Sequence, residues 1–159
     1  MDIDFDEVPC ELISLDVSDV MGTNLEDIMN NNLKTLNLKR FVINDKRQVL
    51  NEFTLSEIPD IRKVIERVKN KEGCKVAGIL EINKVPGNLH FSLEGRHRDL
   101  LVAVLASEYR IKLDHVIHRF QFGLDDEELA YLKNRFGRGR SWAPLEYTMG
   151  VQPHMVGSL

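Results

Sequence analysis

Cys74–Leu93 reads CKVAGILEINKVPGNLHFSL. Apolar and polar residues alternate along its first half. The run breaks at Pro86-Gly87 and a second short apolar run follows. Alternation with period two predicts strands, and a Pro-Gly pair predicts a turn. The stretch is therefore expected to give strands near 75–83 and 87–92 joined by a tight corner. It carries no catalytic pattern, so its information concerns the fold.

Upstream of it, residues 57–71 (EIPDIRKVIERVKNK) give the clearest helix, with Ile58, Ile61, Ile65 and Val68 at helical spacing and Val64 beside them. Ser56 or Asp60 suits the cap, Pro59 suits a first turn, and Gly73 follows the end of the helix. Arg62, Lys63, Glu66, Arg67 and Lys69 form its solvated face. Residues 33–43 and 48–53 read as a hairpin around the polar turn 44–47. Its register stays open, because a slip of one residue inverts the buried face. Residues 10–17 (CELISLDV) are expected to be a strand with Ile13, Leu15 and Val17 on one face and Leu12 on the other. Turn chemistry follows around Gly22, and 25–32 is either a helical turn or an irregular loop.

Downstream, the LLVAVLA run inside 95–110 is a buried helix or strand, with Ala and Leu favouring helix. Residues 114–122 (DHVIHRFQF) alternate again and predict a strand ending at Gly123. Asp125–Glu128 suits the start of a short helix reaching about Phe136, which Gly137 and Gly139 break. Residues 141–159 have no period and are expected to be mobile. These elements describe a strand-rich α+β domain.

The totals agree. A chain of 159 residues is one domain's length, and 43% hydrophobic with 29% charged residues is an ordinary globular composition. A net charge of −4 argues against broad nucleic-acid binding. The longest apolar run, Leu100–Ala106, is far too short to span a membrane. The acidic start MDIDFDEVPC is no signal peptide. Cys10 and Cys74 lie too far apart for a CxxC motif, leaving either two buried thiols or a disulfide.

Chemistry is sparse. His115 and His118, three apart on a strand, point to opposite faces and make a poor metal pair, although His90 on another strand can approach either. Asp16, Asp19 and Asp125–Glu128 sit where turns and caps want acids. No nucleophile elbow or Walker loop occurs. Lys133, Arg135, Arg138 and Arg140 form a basic cluster that suits a solvated loop, an acidic partner or lipid head groups. The residues alone imply a binding module with no cofactor and no metal.

Three segments resemble signatures of the endoplasmic reticulum vesicle transporter family, the cargo receptors of the ER–Golgi intermediate compartment. Pro9–Gly22 is similar to the opening of that family's lumenal domain, and contains Asp16, Asp19 and Gly22. Glu72–Phe91 resembles the second signature and contains Gly78, Asn83, Lys84, Gly87, Asn88 and His90. Asp114–Gly123 resembles the third, with His115, Phe122 and Gly123. They occur in family order and span about 9–123. The SLDVSDVMG stretch is closer to the larger receptor subunit.

The resemblance implies a β-sandwich-like lumenal domain, one membrane helix near each terminus, and cycling between ER and Golgi. It implies a hetero-oligomer with a related receptor subunit that carries protein cargo and retrieves ER residents without catalysis. The oxidising lumen implies a Cys10–Cys74 disulfide. Neither membrane helix lies in these 159 residues, so the chain is expected to be the lumenal part of a longer membrane-anchored protein, as a single domain over 1–159. It also lacks the larger subunit's extra cysteine cluster and the histidine-rich loop, and its last twenty residues depart from the family's pattern. Two other functions remain: a thiol-redox accessory module, and a metal-dependent hydrolase built on His90, His115 and nearby acids.

Overall fold

Cys74–Leu93 splits between two sheets. In the computed structural model, which describes residues 1–29, 37–54, 60–83, 85–93, 98–107 and 110–121, its two strands never pair with each other. The strands are β1 (Asp2–Phe5), β2 (Ser14–Asp19), β3 (Asn24–Leu25), β4 (Asn37–Ile43), β5 (Val49–Phe53), β6 (Gly73–Ile79), β7 (Gly87–Ser92) and β8 (His115–Arg119). The helices are α1 (Ile61–Lys69) and α2 (Arg98–Leu105). One sheet has the order β5-β4-β6-β1-β8, the other β3-β2-β7, and every described pairing is antiparallel. The result is the expected strand-rich, sandwich-like α+β architecture. By contact density the chain divides into Met1–Phe120 and Gln121–Leu159. Only Gln121 of the second unit is described.

The large sheet turns one face inward. Leu38, Arg40 and Val42 of β4 stand opposite Gly78, Val76 and Cys74 of β6, which in turn meet Ile3 and Phe5 of β1. Against this face pack Val64 and Val68 of α1 and Leu100, Leu101 and Val104 of α2, all buried. Of the apolar face expected for α1, Val68 and the neighbouring Val64 are buried and Ile65 is partly so, while Ile61 at the first turn is 43% exposed and Ile58 lies outside the described residues. The small sheet supplies a second cluster of Leu15, Val17 and Ile28. Met29, Leu38 and Phe91 touch both clusters and make the core continuous.

Several expectations change. Cys10–Leu12 is a 3-10 turn, and β2 starts only at Ser14. The turn carries Cys10, Leu12 and the buried Glu11 into the core before the strand begins. Helix α1 is capped by Asp60, which accepts a bond from the Arg62 N–H at 3.0 Å, and it ends at Lys69, two residues before the expected 71. The chain leaves the helix through Lys71 in the left-handed region (φ 56°). Gly73, beyond the helix end as expected, begins β6, where a Cβ would clash with the Phe5 carbonyl. β6 ends at Ile79, short of the expected 83, and Gly78 within it is at φ +136°, a backbone that L side chains rarely adopt.

β1 was not foreseen, although it lies between β6 and β8 in the large sheet. Its alternation, Asp-Ile-Asp-Phe, is only four residues long and its polar half is acidic. Those acids sit on the sheet's outer face, where Lys75 lies 2.8 Å from Asp2 and 3.6 Å from Asp4. The helix expected near 125–136 and the end 141–159 lie outside the described residues.

Candidate functional site

β2 and β7 pair along their whole length, with Asp16 opposite His90, Ser18 opposite Asn88 and Asp19 opposite Gly87. Two sequence segments some seventy residues apart thus meet at one end of the small sheet. Gly87 is required there by space, since a Cβ would sit 2.5 Å from the Ser18 carbonyl. Gly22 is required by conformation, at φ +89° in the turn after β2.

Asp19 organises that turn. Its Oδ1 accepts from the backbone N–H groups of Met21 (2.8 Å) and Thr23 (3.1 Å), and its Oδ2 accepts from the Asn83 amide at 2.8 Å. The same amide donates to Thr23 Oγ1 at 3.2 Å. The Val20 N–H donates to the Pro86 carbonyl at 3.0 Å. Hydrogen bonds to a carboxylate favour its charged form. The Asn83 bond first, then those from Thr23 and Met21, hold the Asp19 carboxyl below its ordinary range. Ser18, Asp19, Val20, Pro86, Gly87 and Asn88 line an open concavity beside the turn. Val20 and Met21 are 70% and 72% exposed at its tip.

Asp16 has a second role on the same strands. Its Oδ1 accepts from the Asp27 N–H at 2.7 Å and so ties down the loop after β3, while His90 Nδ1 lies 3.9 Å from its Oδ2. Asp16, Asp19, Gly22, Asn83, Gly87, Asn88 and His90 therefore share one neighbourhood. Gly78 lies on β6, where a Cβ would meet the Asn37 carbonyl at 2.0 Å. His115 lies on β8 in the other sheet, its ring 6.1 Å from that of Phe5. His90 and His115 thus have different neighbours, and among the described residues no three His, Cys, Asp or Glu side chains gather as metal ligands. Lys84, Phe122 and Gly123 fall outside the described residues.

Cys10 and Cys74 form the disulfide, with an S–S distance of 1.98 Å and both residues fully buried. It joins the 3-10 turn to β6, so it ties the approach to the small sheet onto the large one. No free cysteine remains.

Two groups escaped sequence reasoning. Arg40 is buried in the core face, donating to the carbonyls of Cys10 (3.1 Å) and Met29 (3.3 Å) and stacking 4.7 Å from the Phe53 ring centroid. The alternation of β4 does place it with Leu38 and Val42, but a basic residue argues for the solvent face. Asp4 is 2% exposed and bonds His118 Nε2 at 2.7 Å.

The family described as Endoplasmic reticulum vesicle transporter matches residues 56–156, which is more than half of the chain. The chain belongs to this family. Endoplasmic reticulum-Golgi intermediate compartment protein 1 of Xenopus laevis is 25% identical over 123 residues, covering 77% of this chain and 29% of the relative. The chain thus spans less than a third of that relative's length. No solved structure matches. Family and relative alike assign the protein to ER and Golgi membranes, and its buried disulfide fits the oxidising lumen. Among the described residues no helix is long and apolar enough to cross a membrane.

Proposed function

We propose that this domain is the lumenal portion of an ER–Golgi cargo receptor that carries protein cargo and returns escaped ER residents, working with a related receptor subunit and without a catalytic step. The observation that carries the reading is the meeting of the Pro9–Gly22 and Glu72–Phe91 segments along β2 and β7. Their polar side chains are spent on one another, as Asp19 is on Asn83, and build a fixed surface. Family membership and the relative's ER–Golgi name support the same reading. Both cysteines are committed to a buried bridge, which does not favour the thiol-redox alternative.

The test is retrieval in cells. Cells depleted of the full-length protein are expected to secrete soluble ER residents, and re-expression of the full-length protein is expected to restore their retention. Unchanged secretion on depletion would overturn the receptor reading. Steady turnover by the purified chain in an insulin-reduction assay would replace it with the redox one.

A further inference from the structure

We draw no further inference here: the strongest candidate, the outer edge of β7 (Gly87–Ser92), an unbroken six-residue strand at the border of the small sheet that pairs only with β2 among the described strands, carries nothing because nothing in the structure shows what covers it.

Discussion

Gly78 and Asp19 show how single residues set this fold. At Gly78 the backbone is at φ +136° and the Asn37 carbonyl lies 2.0 Å from where a Cβ would be. Gly78→Ala is therefore expected to cost about 2–3 kcal/mol, from backbone strain and a clash with an immovable peptide. A lowered urea midpoint with unchanged slope would confirm it. Asp19 and Asp6 have carboxyls held below their ordinary value of 3.8, Asp19 chiefly by Asn83 and Asp6 chiefly by Arg47. Arg47 grips Asp6 through two bonds of 2.9 and 2.7 Å. A carboxyl with a depressed folded pKa adds stability above its unfolded pKa and loses it as pH falls through the folded one. Stability should thus decline from about pH 4 downward through these two groups. The double variant Asp6→Asn, Asp19→Asn is expected to flatten that part of the curve of urea midpoint against pH. An unaltered curve would show that other carboxylates govern acid unfolding.

Among the elements, β4 has the least obvious task. It carries Arg40 into the core face, where the guanidinium meets the carbonyls of Cys10 and Met29 and the ring of Phe53. One side chain thereby joins the 3-10 turn, the loop after β3 and the end of β5. Burial pulls its pKa down, and the nearby carboxylates of Asp27 and Glu11 oppose that pull. Arg40→Met keeps the apolar stem but strands the buried Cys10 carbonyl, the partly buried Met29 carbonyl and these acids. It is expected to destabilise the domain by about 3 kcal/mol, the scale for breaking a buried charged network from one side. Equilibrium urea unfolding measures it, and a change under about 0.5 kcal/mol, the range of an ordinary surface substitution, would mean that Arg40 is only a passenger. The hydrophobic spacing of α1 showed the helix and the side carrying Val64, Ile65 and Val68, although Ile61 of the same stripe stays exposed at the first turn. The β4 face was less legible, because a buried arginine reads in sequence as solvent-facing.

For the molecule as a whole, the bridge between Cys10 and Cys74 spans 64 residues of chain and ties the turn before β2 to β6 of the large sheet. Closing a loop of that size removes entropy from the unfolded chain, worth about 4 kcal/mol in the chain-entropy model. The double variant Cys10→Ala, Cys74→Ala should lose roughly that much. Both sulfurs are buried, so reduction of the native domain by dithiothreitol should proceed only through unfolding. A reduction rate that does not increase with added urea would contradict this.

The sequence by itself determined the class of the domain, the helical and strand periods, the family and the cysteine pair, because composition, periodicity and signature residues are local properties of the chain. It placed Asp16, Asp19, Gly22, Asn83, Gly87, Asn88 and His90 in two signatures but could not show that they face one another. Only the tertiary structure decided that β6 and β7 belong to different sheets and that β1 runs between β6 and β8. It also decided that Arg40 is buried and that Val20 and Met21 stand outward on a pinned turn. Each of these depends on which distant strand supplies the hydrogen bonds and which surface covers a side chain. That partner choice is settled by packing across the whole core and is written in no single stretch, Cys74–Leu93 included.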